Sequence, residues 1–215
     1  MIALFATGPA WGEAACSNVQ TYCARSTPSI GPVAMTAETS LTEDQIDRIR
    51  SAIDRPIVLV GLMGAGKSTV GRRLSAILQS DFVDADDAIE KAAQRSIPEI
   101  FDEFGEAYFR DGERRVIARL IEEGHGVIAT GGGAFVDAET RALILEQAIA
   151  VWIDCDIETL VERTSRRNTR PLLRNGDPKQ ILSDLFTRRE PFYRQAQVRV
   201  LSEDGPHNDT ARSNN

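Results

Sequence analysis

With 215 residues, 42% of them apolar, the chain has room for one domain with a sizeable core and flanking tails. A net charge of −7 argues against general binding to nucleic acid or to an anionic membrane. Three scattered cysteines, Cys16, Cys23 and Cys155, make no disulfide framework, and no apolar run approaches the roughly 20 residues needed to span a bilayer.

Residues 1–40 are rich in Ala, Ser, Thr, Gly and Pro, lack periodicity, and are expected to be disordered. They show neither the basic start nor the long apolar stretch of a secretory signal, so a reducing cytoplasm is the expected compartment. Composition shifts at Met35, a candidate translation start that would make 1–34 a start-site artefact. A short helix is expected within 41–55. Ser40 or Thr42 would cap it, Ile46, Ile49 and Ile53 would lie along one side, and Pro56 would end it.

From there helix and strand signals alternate through a core domain over 56–202. Apolar runs predict strands at 57–60, 82–84, 127–130, 148–154 and 198–201. Helices are predicted over 69–79, 86–94, 97–104, 106–123, 137–147, 157–163 and 178–194, with Gly105 interrupting the third and fourth. Residues 164–177 have no apolar period and carry four arginines and Pro171, so they read as a loop. The polar tail, 203–215, is expected to be loose. This alternation implies an α/β fold with a parallel sheet covered on both faces, and ligands bind at the carboxyl ends of such strands.

Three stretches meet there. The first is GLMGAGKS, 61–68, between a strand and a helix, which fits the phosphate-binding pattern G-x-x-x-x-G-K-[ST]. Glycines let several backbone N–H groups turn toward one anion, and the following helix adds the positive end of its dipole. Lys67 is suited to the outer phosphates of a nucleoside triphosphate, and the Ser68 hydroxyl to Mg²⁺. The second stretch is Asp84-Ala85-Asp86. Its carboxylates serve either as a helix cap and its neighbour, or as a water-mediated Mg²⁺ contact and a base for an acceptor hydroxyl. The third is the turn Gly131-Gly132-Gly133, where a backbone without Cβ atoms allows close approach of a ligand.

The acidic chain has one basic segment. Nine arginines and Lys179 between 163 and 199 face only Asp177, Asp184 and Glu190, which suits small anions. Arg110 lies three residues before Glu113, as an exposed ion pair or as a fixed fork for a carboxylate. Arg189, in RREPFYR, supplies a second fork. Arg170, in NTRPLL, belongs either to a solvated loop or to a lid over the phosphates.

The ordered set GLMGAGKST, FVDADDAIE, RSIPEIFDEFGEAYFRDGE, ATGGGA, RNTRPLL and RREPFYR resembles the shikimate kinase family over roughly 57–201. The resemblance implies a small P-loop kinase fold with three layers, a five-stranded parallel sheet, a helical substrate-binding segment and a lid. It implies transfer of the ATP γ-phosphoryl group to the 3-hydroxyl of shikimate, on the route to chorismate and the aromatic amino acids. Gly64, Ala65, Gly66, Lys67, Ser68 and Thr69 match the ATP loop, with Ser68 as Mg²⁺ ligand and Asp84 near the ion, through water in the family pattern. Asp86 matches the aspartate that contacts shikimate hydroxyls and takes the proton. Arg110 and Arg189 match the arginines on the shikimate carboxylate, and the Gly131, Gly132 and Gly133 turn includes a substrate contact at Gly132. Arg170 matches a lid arginine and Arg163 one that stacks on adenine. A monomer with no nucleic-acid or membrane partner is the family expectation. A gluconate kinase shares the phosphate loop and is the main alternative; no N-K-x-D base-reading motif of a GTPase is present.

Overall fold

The computed structural model describes residues 2–6, 42–165 and 176–202. In chain order these form β1 (Ile2–Ala6), α1 (Glu43–Ala52), β2 (Ile57–Val60), α2 (Lys67–Leu78), β3 (Phe82–Asp84), α3 (Ala85–Ala93) and α4 (Ile97–Glu122). There follow β4 (Val127–Ala129), α5 (Ala138–Gln147), β5 (Ile149–Asp154), α6 (Ile157–Ser165), α7 (Pro178–Tyr193) and β6 (Val198–Ser202). The lid expected over 164–177 and the tail from 203 lie largely or wholly outside the described residues.

The strands form one sheet in the order β1-β6-β5-β2-β4-β3. The five strands from β2 onward are parallel, as expected, and β1 runs antiparallel to β6 at the edge. That edge strand departs from the expectation of disorder for residues 1–40. Its run IALFA pairs with backbone groups that β6 would otherwise present to solvent. Residues 7–41 lie outside the described residues.

β2 is the centre. Val58, Leu59 and Val60 are fully buried, and Ile57 nearly so. Successive strand residues point to opposite faces, so burial of all four means that both faces are covered. Each such side chain contributes about 1.5–3 kcal/mol by leaving water. The main core extends to Ile128, Phe135, Ile144, Trp152, Ile153, Leu182 and Tyr193. A second, smaller cluster of Ile89, Ile100 and Phe109 packs α3 against α4, with the rings of Phe101 and Phe109 4.5 Å apart.

Helix ends follow their capping residues. Thr42 and Ser96 form capping boxes with Gln45 and Glu99. Asp137 accepts the Thr140 N–H at 2.9 Å to start α5. The break expected at Gly105 is present: φ is 79° and ψ 174°, which divides α4 into the two expected helices. Open space surrounds the position where a Cβ would stand, so it is the positive φ that favours glycine here.

Candidate active site

The phosphate loop closes β2 onto α2. Gly64 and Gly66 have φ of 85° and 94°, and Gly66 begins the helix without a side-chain cap. The first turn of α2 therefore keeps its N–H groups directed at the loop mouth. Lys67 is buried, and its ammonium donates to the carbonyls of Gly61 and Leu62, both at 2.9 Å. Ala65 is also buried, and Thr69 stands exposed in the first helical turn.

Asp84 joins this loop to β3. Its Oδ2 accepts the Ser68 hydroxyl at 2.7 Å, while Oδ1 accepts the Asp86 N–H at 3.2 Å and caps α3. The cap reading is thus met by Oδ1, and Oδ2 has lone pairs left for Ser68. Asp86 follows as the second residue of α3. Burial raises its carboxyl above the usual range, the negative charges of Asp84, Asp87 and Glu90 raise it further, and Lys67 pulls it down.

The other side is assembled from α4, the glycine turn after β4, and α7. Glu113 is 1% exposed and accepts Arg110 Nη1 at 2.6 Å. Burial pushes the Glu113 carboxyl up to about 7 against the opposing pull of Arg110, with Asp86 and Asp137 raising it further. Burial disfavours the Arg110 charge, but Glu113 and Glu106 more than offset this and raise its pKa. Glu106, which is exposed, also accepts from Arg110 Nε and Nη2 at 3.3 and 3.2 Å. The Arg110–Glu113 pair is thus not an exposed one, and Glu106 is an additional, exposed partner.

The glycine turn fits between these charges. A Cβ on Gly131 would stand 2.8 Å from Asp86 Oδ1 and 3.2 Å from Glu113 Oε1. One on Gly133 would fall on the Arg110 guanidinium, 2.7 Å from Nη1. At both positions a side chain would have to displace a charged group that lies against the backbone. The Gly132 carbonyl accepts Arg189 Nη1 at 2.9 Å and the Tyr193 hydroxyl at 2.5 Å. The same turn touches the phosphate loop, since a Cβ on Gly132 would lie 3.3 Å from the Met63 nitrogen.

A third feature opens at the ends of β5 and β6. Asp154, Cys155, Asp156, Phe186 and Ser202 help line a cavity of about 510 Å³. Arg163 borders it, donating to Ser202 Oγ at 3.1 Å and to the Ala65 carbonyl at 3.4 Å. Phosphate loop, paired aspartates and arginine forks meet at the carboxyl end of one parallel sheet, an arrangement suited to moving a phosphoryl group onto a small anionic acceptor.

The family model described as shikimate kinase matches residues 63–213. The chain is 57% identical over 175 residues to a shikimate kinase of Novosphingobium aromaticivorans, covering 80% of this chain and 91% of that one. The chain belongs to the shikimate kinase family. A shikimate kinase of Caulobacter vibrioides is 59% identical over 153 residues, or 71% of this chain and 76% of the relative. Among solved structures, the shikimate kinase from Acinetobacter baumannii in complex with shikimate superposes with a TM-score of 0.67 at 38% identity, covering 74% of this chain and 88% of that one. The gluconate kinase alternative is not favoured beside such relatives.

Within this family fold, Lys67, Ser68, Asp84, Asp86, Arg110, Arg189 and the glycine turn lie close to one another. Arg163 reaches the outer side of the phosphate loop, and Arg170 lies outside the described residues. Sequence reasoning passed over Tyr193. Its signal was the spacing to Arg189, since residues four apart share one face of a helix.

Proposed function

We propose that this chain transfers the γ-phosphoryl group of ATP to the 3-hydroxyl of shikimate, with the two halves of the site in distinct roles. The phosphate loop, 61–68, holds the triphosphate through backbone N–H groups and the Lys67 charge. The cavity beside Arg163 takes the adenosine end. Asp86 faces the acceptor hydroxyl and accepts its proton as the phosphoryl group arrives, a role suited to a carboxyl whose affinity for protons is already raised. Arg110, oriented by Glu113, and Arg189, tied to Gly132, grip the substrate carboxylate. Arg170 closes over the phosphates as a lid residue.

The Ser68 hydroxyl and the Asp84 carboxylate lie 2.7 Å apart and offer the hard oxygen donors that Mg²⁺ prefers. When bound there, Mg²⁺ would neutralise charge on the phosphates.

The observation that supports this reading most strongly is the glycine turn, which brings Asp86, Arg110 and Arg189 against the phosphate loop. A coupled assay of ADP release tests it. Turnover is expected with shikimate and not with gluconate; turnover with gluconate alone would overturn the assignment. No described helix is long and apolar enough to cross a membrane. A cytoplasmic monomer is proposed, and sedimentation of the full chain as a dimer would exclude the second part of that.

A further inference from the structure

We propose that Tyr193 is a positioning residue of the acceptor site, its hydroxyl holding the Gly132 carbonyl where Arg189 also binds it. The inference rests on the acceptor site described above and extends it to a residue that need not touch substrate.

Tyr193 is 1% exposed. Its ring lies 5.9 Å from that of Trp152, and the Arg199 guanidinium covers the Trp152 ring at 4.7 Å. Arg199 is itself tied to Asp154 Oδ2 at 3.0 Å through Nε and 2.5 Å through Nη2. The phenol is thus held from the sheet side by packing. A buried hydroxyl requires a partner, and this one reaches the glycine turn, 61 positions earlier in the chain.

A carbonyl oxygen has two lone pairs. Here the Tyr193 hydroxyl takes one at 2.5 Å and Arg189 Nη1 the other at 2.9 Å. The peptide is planar and trans, so fixing the Gly132 carbonyl toward α7 directs the Gly133 N–H the opposite way. Glycine restrains its own backbone least of all residues, so a tie from outside matters most in such a turn. One hydroxyl therefore sets both the attitude of the turn and the acceptor on which Arg189 rests. The same turn lies against Asp86 and Arg110, so a loosened carbonyl disturbs the acceptor pocket before the phosphate loop. Burial pushes the Tyr193 hydroxyl up to about 12, with Arg189 and Arg110 opposing, so it remains a donor through the assay range.

Tyr193→Phe deletes only the hydroxyl. The expected result is a rise of about 5- to 10-fold in the shikimate KM, the scale of one neutral hydrogen bond, with the ATP KM unchanged. An unchanged shikimate KM, or an equal rise for both substrates, would overturn the proposal. In a cycle with Arg189→Lys, the double variant should fall short of the product of the single effects, because both act on one carbonyl. Full multiplicativity would count against the shared role. A chain with 3-fluorotyrosine in place of Tyr193 keeps the donor and should hold the wild-type KM; a raised KM there overturns the proposal even if the phenylalanine variant fails to fold. The underlying acceptor reading fails separately: it falls if Arg189→Lys leaves the shikimate KM unchanged, whereas the Tyr193 proposal alone falls if Arg189→Lys raises it and Tyr193→Phe does not.

Discussion

The proposed donor and acceptor halves of this site are built in different ways. The phosphate loop is eight consecutive residues, 61–68, between one strand and one helix. Its working parts are backbone N–H groups, a helix terminus and one lysine, all supplied locally. The acceptor half draws Asp86 from α3, Arg110 and Glu113 from α4, three glycines after β4, and Arg189 with Tyr193 from α7. Its working parts are charged side chains that acquire direction only from partners distant in sequence. A local device depends on chain conformation, whereas an assembled one depends on packing and on the removal of steric obstacles.

That contrast can be broken or sharpened by substitution. The largest effect is expected for Lys67→Ala, which should reduce kcat roughly a thousandfold, as for loss of a strong preorganised donor to the transferring group. Shikimate affinity measured by calorimetry should hold, and its collapse would show that the halves are not separable. Asp86→Asn should lower kcat roughly a hundredfold, within the range of general-base catalysis. An unchanged rate would remove Asp86 from proton transfer. Arg189→Ala should raise the shikimate KM about 30-fold, the scale of a charge-assisted hydrogen bond, and leave the ATP KM as it was. A fall in kcat alone would mean that Arg189 acts in the transition state instead.

A separate effect is on stability. The Glu113 carboxyl rises from its ordinary 4.5 to about 7 in the fold, so the folded state binds more protons between these values than the unfolded chain does. Its stabilising contribution is complete below about pH 4.5 and is lost as pH rises through about 7, on the order of 3 kcal/mol. Thermal unfolding of Glu113→Gln between pH 4 and 8 should lack that decline (roughly the same two limits bracket the titration). A decline identical to that of the wild type would mean that Glu113 ionises in the fold as it does in water.

A contact at the other end of the sheet offers a control. His125 is bonded to Asp81 and, at 3.2 Å, to Glu123, while Asp81 also accepts the Gly126 N–H at 2.7 Å. The hydrogen bond that His125 donates to Asp81 raises it above its ordinary 6.5, against the effect of partial burial. Its contribution is present below 6.5 and is lost as pH rises through the higher folded value. His125→Gln should therefore shift the melting temperature without moving either KM. A changed shikimate KM would show that the two ends of the sheet are coupled.

The sheet was readable because short apolar runs alternate with 3.6-residue periods, and strand burial follows from that alternation. Gly105 was readable because no other residue so readily adopts its positive φ. The strand Ile2–Ala6 was not, because pairing at a sheet edge depends on a partner strand about 200 residues away, not on local periodicity. The Asp84-Ala85-Asp86 segment left a cap and a functional contact as alternatives, and only the fold showed that Asp84 caps α3 while also meeting Ser68.

By itself, the sequence determined a phosphate-binding loop, the parallel sheet that carries it and the family, since these rest on neighbouring residues and their order. Tertiary structure alone decided that Glu113 is buried beneath Arg110, that Gly131 and Gly133 make room for Asp86 and Arg110, and that Tyr193 meets the Gly132 carbonyl. Those facts depend on distances between segments, and side-chain charge acquires its direction and its proton affinity from whatever is packed against it.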